Sequence, residues 1–205
     1  MKEEAWIKAG ESLAIEARAI AELAPKLDGK AFGRAVDILA AGGRVTTCAS
    51  GTSGIAARKF AHSLCCIDIA AAFMPPCEAV HGGLGALKKG DAMVMVSRGG
   101  KTAELLPVIP VCARRGAKLI AVTENLESPL AAAADVVLTV RVARESDPHN
   151  IMATSSFLAT VALFDALLAA LIVETGYRRE QFAVIHPGGA VGQALNAPGP
   201  ENRRV

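Results

Sequence analysis

Charge of either sign is sparse and nearly balanced. The 22 basic and 20 acidic residues leave a net charge of +2, and charged residues make up 20% of the 205. No basic stripe stands out, and Arg203-Arg204 is only a short tail, so the chain carries no nucleic-acid footprint. Aromatic residues are scarcer still, at 4%. Hydrophobic residues nevertheless reach 52%, with a mean hydropathy of +0.35. The apolar excess is therefore built from Ala, Leu, Ile and Val around 19 glycines. That composition excludes a disordered chain, and small aliphatic side chains let helices lie close to a sheet. Folding a chain of this length removes roughly 70% of its unfolded surface from water, so no covalent staple is needed.

Metal-binding and disulfide patterns are missing too. The five cysteines (Cys48, Cys65, Cys66, Cys77, Cys112) are odd in number and form no CxxC pair. Several lie in apolar stretches and read as reduced thiols acting as small hydrophobes. The four histidines show no close ligand spacing such as HxxxH, so no metal is expected. His62 is expected to pack on its helix and His149 to lie in an exposed loop. The start, Met1-Lys2-Glu3-Glu4, leads into no apolar segment, which argues against a secretory leader; a cytoplasmic location is expected. The one long apolar run, FLATVALFDALLAALIV at 157–173, falls short of the ~20 residues that cross a bilayer and carries Asp165 in its middle. It reads as a helix buried on most sides, and no membrane partner is expected.

Hydrophobic spacing then gives an ordered series of elements. Residues 3–24 repeat apolar positions at helical intervals, Pro25 and Gly29 interrupt them, and a second helix covers 30–41. From Gly42-Gly43 onward, strands alternate with helices. Strands are expected at 44–49, 68–74, 91–97, 118–123 and 136–142, with helices at 55–66, up to 115, at 129–134, from 154, and near 179. Five strands joined by short helical connections predict an α/β three-layer αβα sandwich around a five-stranded parallel sheet.

In such sheets, ligands bind beyond the carboxyl ends of the strands. Two of those ends carry polar glycine loops, ASGTSG at 49–54 and SRGGKT at 97–102, each expected to lead straight into a helix. Amides and hydroxyls at a helix start form an anion site, so a phosphorylated ligand is expected. The run Gly99-Gly100-Lys101-Thr102 looks like part of a P-loop, but that motif needs a glycine where Met95 stands, inside a strand. Nucleotide hydrolysis is thereby disfavoured.

The order ASGTSG, EAVHGGLGALKKGD (78–91), VSRGGKTAE (96–104), VARESDP (142–148) with TSS (154–156), and HPGGAVG (186–192) resembles the sugar isomerase (SIS) domain of the arabinose 5-phosphate isomerase family, over about residues 30–196. The resemblance implies a flavodoxin-like domain at 42–197 and N-terminal helices at 1–41 that pack on it and on a partner subunit. A tail at 198–205 follows. The two CBS modules that many members carry would not fit in this length. The implied activity is aldose–ketose isomerisation of a phosphosugar, foremost a pentose 5-phosphate, through an enediolate and without a cofactor. The alternatives are an isomerase of another phosphosugar, such as a hexulose phosphate, and a non-catalytic phosphosugar sensor. A homodimer or homotetramer with sites at subunit interfaces is implied as well.

Position by position, the resemblance makes Glu145, His186 and His81 the catalytic candidates. Ser50, Thr52, Ser53, Ser97, Gly100, Lys101 and Thr102 become the phosphate-binding ones. Four positions depart from the family pattern: Gly83 stands where an acidic residue is usual, Thr52 where a lysine is, Gly99 where a serine is, and Lys101 where a glutamate is. Lys101 is expected to take over as the cation facing the phosphate or enediolate. For Glu145, a position near a strand end suggests a desolvated base with a pKa raised toward neutrality.

Overall fold

The computed structural model describes residues 1–189 and 192–193; the 198–205 tail and the end of the 42–197 domain lie outside these residues. Five short strands, β1 (Val45–Cys48), β2 (Ala71–Phe73), β3 (Ala92–Val96), β4 (Lys118–Thr123) and β5 (Val136–Thr139), form one sheet in the order β2-β1-β3-β4-β5. Every pairing is parallel. The three-layer arrangement read from the sequence is therefore the one observed.

The strands bury both faces. In β3, Ala92, Val94 and Val96 point to one core while Met93 and Met95 point to the other; in β4, Ile120 and Val122 oppose Leu119 and Ala121. This period-2 split explains why DAMVMVS reads as an unbroken apolar run. The first face is covered by α2 (Gly29–Ala40), α3 (Gly51–Cys65) and α7 (Ser155–Glu174), with α1 (Glu3–Ala21) lying against α7. The second face is covered by α4 (Pro76–Val80), α5 (Ile109–Arg115) and α6 (Pro129–Ala133). A last helix, α8 (Arg179–Ile185), follows α7.

Local chemistry sets several boundaries. Asp28 caps α2 by accepting from the amides of Lys30 and Ala31. Asp68 adopts a left-handed φ of 60° between α3 and β2, which shortens the strand expected at 68–74 to three residues. The α4 turn was not anticipated. The loop at 97–102 does not lead straight into a helix, as expected, because turns occupy 103–108 and α5 begins only at Ile109. Pro107 and Pro110 cannot donate backbone hydrogen bonds, so a regular ladder is possible only from the second proline onward.

The apolar run at 157–173 is the heart of α7, a helix of 20 residues that is long and apolar enough to cross a membrane. Here it packs against α1, α2 and α3, with Leu163, Phe164, Leu167 and Leu171 buried. Phe164 stacks on Phe60 of α3 with centroids 4.2 Å apart, and Asp165 pairs with Lys59 on the same helix. These contacts account for the one charge within the run. By contrast, α1 buries none of its residues, and Trp6, Ile7 and Leu13 are largely exposed.

All five cysteines are free. Cys48 and Cys112 are buried, and desolvation pushes their thiols up to about 12 and about 11. Cys65 and Cys77 are exposed. Iodoacetamide at pH 8 should therefore label Cys65 and Cys77 quickly and leave Cys48 and Cys112 unmodified in the folded protein, as peptide mass mapping would read.

Candidate active site

The segments that follow β1, β3, β4 and β5 converge on one cleft. Its walls include Ser53 at the start of α3, Arg98 after β3, Thr123 at the end of β4, and Ser156 and Thr160 on α7. The first polar loop, the second polar loop and the head of the longest helix thus meet at one place.

Ser50 is the N-cap of α3, yet its side chain makes no capping hydrogen bond. Its carbonyl instead accepts the Gly54 amide. The first-turn amides of α3 are left without a side-chain acceptor, with Thr52 exposed and Ser53 half-buried beside them. Such a helix start attracts an anion.

The second loop is closed from within. Ser97 is buried, and its hydroxyl lies 2.7 Å from that of Thr102 while accepting the Gly100 amide at 3.1 Å. Gly100 has φ +66°, and a Cβ there would come within 2.0 Å of the Ser128 hydroxyl. Only glycine satisfies both constraints. Ser97 and Gly100 are therefore used to shape the loop, while Lys101 is exposed and forms no ion pair among the described residues.

Glu145 is 1% exposed. Its Oε2 accepts from the Thr154 amide (2.9 Å), the Thr154 hydroxyl (3.2 Å) and the Ser156 amide (3.0 Å), and its Oε1 accepts from Arg98 Nη1 at 2.8 Å. Burial alone raises this carboxyl, but the hydrogen bonds from Ser156 and Thr154 and the charge of Arg98 outweigh burial and hold it below the usual carboxylate range. This corrects the expectation of a pKa raised toward neutrality. The carboxylate occupies the head of α7 instead of an apolar pocket, and hydrogen-bond donors stabilise its charged form. Arg98, which also pairs with Glu124 at 3.1 Å, was missed from the sequence. Its place inside the second loop was the available signal.

The two candidate histidines lie elsewhere. His81 follows α4 on the opposite face of the sheet; it is exposed and makes no side-chain hydrogen bond among the described residues. His186 follows α8, stacked on Phe182 with centroids 3.7 Å apart and with Nδ1 3.2 Å from the Phe182 carbonyl. The α8 region is anchored near the amino edge of the sheet, where Tyr177 donates to the Cys66 carbonyl and Gln181 to Asp68. A 20-residue helix spans about 30 Å, and the five residues from Gln181 to His186 rise only about 8 Å. His186 therefore does not reach Glu145 within one chain. His62, as expected, stays on its helix, with Nε2 3.7 Å from Cys66 Sγ, and His149 is exposed.

A model of the SIS domain matches residues 38–170. The chain is 40% identical over 185 residues to the arabinose 5-phosphate isomerase KdsD of Pseudomonas aeruginosa, which covers 90% of this chain and 56% of that protein. It is 37% identical to KdsD of Escherichia coli K12, with the same coverage. The chain thus spans about half the length of the curated relatives it matches. Among solved structures, a candidate sugar-phosphate isomerase from Listeria monocytogenes superposes with a TM-score of 0.88 at 42% identity, over 92% of this chain and all of that one. An Escherichia coli CFT073 protein in complex with A5P superposes with a TM-score of 0.84 at 28% identity, over 91% of this chain and all of that one.

The bonds around Glu145 link stability to pH. Its folded pKa is depressed, so its contribution is present above the unfolded carboxylate value of about 4.3 and is lost as pH falls through the folded value. In urea titrations, Glu145→Gln should be less stable than the unsubstituted protein at pH 7, and the gap should narrow steadily below about pH 4.

Proposed function

The chain belongs to the SIS domain family, and from that membership we propose that it is an aldose–ketose isomerase of a phosphosugar, foremost a pentose 5-phosphate of the arabinose/ribulose type. The observation that carries this reading is the single cleft in which Ser53 of one hydroxyl-rich loop, Arg98 of the other and the Ser156 end of the Glu145 cluster come together. A cleft walled by the start of α3 and by Arg98, whose guanidinium holds the buried, ionised Glu145 just behind the wall, brings together the groups that enediolate chemistry requires. The likeness to arabinose 5-phosphate isomerases over nine-tenths of this chain supports the substrate class.

In this reading, the phosphate rests on the open amides of α3 with the hydroxyls of Ser50, Thr52 and Ser53. Lys101 and Thr102 close over it from the second loop, where Ser97 and Gly100 hold the backbone in shape. Lys101 supplies the cation that Thr52 does not. Glu145, charged at neutral pH, accepts the carbon-bound proton next to the carbonyl, and the nearby cations stabilise the enediolate. His186 and His81 move protons between the two oxygens, since imidazole titrates near working pH. His186 acts from a second copy, because its own chain holds it at the other end of α7. A homodimer or homotetramer with shared sites follows from that role, and the exposed apolar residues of α1 are the surface it would use. The protein works in the cytoplasm, where its thiols stay reduced.

A panel of aldose and ketose phosphates, with exchange of the C2 proton in deuterated water, tests the reading. Isomerisation and exchange that both vanish in Glu145→Gln are expected; thermal stabilisation by a phosphosugar without exchange would make the protein a sensor. Lys101→Ala should raise KM at least tenfold, as expected for loss of a charged contact worth ~1.5–3 kcal/mol. An unchanged KM removes Lys101 from the phosphate seat. Mixing His186→Ala with Glu145→Gln protein should restore part of the lost activity, and no recovery would remove His186 from the site.

A further inference from the structure

Arg98 has more contacts than a surface cation needs. Its carbonyl accepts from the Thr123 hydroxyl at 2.9 Å and the Glu124 amide at 3.1 Å, so the backbone beneath it is pinned to the end of β4. Its Nη1 donates to Glu145 and its Nε faces Glu124. Nη2 has no partner among the described residues, and the side chain is 48% exposed. The residue lines the central cleft and also the adjoining one bounded by Gly99, Glu124, Asn125, Arg141 and Val142.

The two oxygens of Glu145 are divided between different owners. Oε2 is held by the head of α7, and Oε1 is held by Arg98 alone among the described residues. Removing Arg98 would leave Oε1 free to rotate or to take a proton in a nearly buried position. We propose that Arg98 is the positioning residue of this site: it fixes Glu145 Oε1 just behind the cleft wall that Arg98 itself lines, and its Nη2 edge takes an oxygen of the phosphorylated sugar. An arginine suits this double task because its planar fork offers donors on separate edges in fixed geometry, whereas a lysine offers one compact charge. The pair of carboxylates keeps the fork in a single orientation, so little conformational freedom remains to be lost when substrate arrives.

This inference rests on the phosphosugar reading for its substrate contact but not for its grip on Glu145, and the experiment separates the two. The charged groups around Glu145 are Arg98 and Glu124 from the sheet end, Arg144 (through the Glu145 carbonyl), Asp147 and His149 from its own loop, and Glu16 of α1 across Ser146. Arg98 is the one cation touching the carboxylate itself among the described residues. In the full chain, carbon-13 carboxyl NMR should show the Glu145 midpoint rising in Arg98→Met, with partial return in Arg98→Lys. With the phosphosugar that the unsubstituted protein turns over, the acidic limb of kcat/KM should move up with that midpoint, and KM should rise at least tenfold in Arg98→Met.

An unmoved midpoint in folded Arg98→Met overturns the positioning role, and a moved midpoint with unchanged KM overturns the substrate contact. If no phosphosugar is turned over by the unsubstituted protein, the functional reading fails, while the NMR result still decides the positioning. If Arg98→Met does not fold, Glu124→Gln decides the matter: freeing Nε alone should raise KM severalfold while leaving the Glu145 midpoint near its original value. A KM unaffected by that change sinks the proposal.

Discussion

One buried carboxylate ties the functional end of this molecule together. Glu145 sits at the head of α7, where the unpaired amides of a 20-residue helix need an acceptor. It also holds Arg98, so it joins the longest helix to the loop after the central strand. The next residue extends the network outward: the Ser146 amide donates to the Thr154 hydroxyl, while the Ser146 hydroxyl donates to Glu16 and accepts from Ser12. Through two adjacent residues, the β5 exit loop fastens α1, α7 and the second polar loop to one another. Leaving any of these donors without its acceptor would cost about as much as the burial of an unpaired polar group, which explains why a carboxylate can be buried here at all.

The same network fixes the chemistry open to the site. A carboxylate that receives hydrogen bonds on both oxygens stays ionised at neutral pH. In the role proposed for it, Glu145 is a base that is always ready but intrinsically weak, and that role depends on strong stabilisation of the enediolate. The cations at this end of the sheet, Arg98 and Lys101, are placed in the loop that shapes the cleft. Charge substitution in the loops and depression of the Glu145 pKa are thus two sides of one electrostatic arrangement.

The sheet was legible in the sequence because its strands are buried on both faces and read as short apolar runs between turn signals. Asp91–Ser97 is the clearest case. The two polar loops were legible from glycine and hydroxyl content, and the histidine and glutamate candidates came from the resemblance of their motifs. What stayed hidden depended on tertiary geometry. The turn at α4 is only five residues long, too short for periodicity to register. Pro107 and Pro110 delay α5 in a way that the loop pattern alone does not reveal. The environment of Glu145 was misread because strand-end position suggests desolvation, whereas the amides that capture its charge come from residues nine and eleven positions later. Arg98 stood inside the second polar loop, but nothing there marked it out, since its significance lies in two carboxylates distant in the chain.

The largest gap between sequence and site concerns the histidines. Motif order places His186 beside Glu145 in function, yet α7 carries the chain from the carboxyl ends of the strands to their amino edge, and the bonds of Tyr177 and Gln181 keep α8 there. Stacking on Phe182 occupies one face of the His186 ring, and the Phe182 carbonyl engages Nδ1, so Nε2 is the atom left to work. In the proposed shared site, association through the apolar residues displayed along α1 is what brings an oriented Nε2 to a carboxylate on another chain, so that proposal stands or falls with assembly.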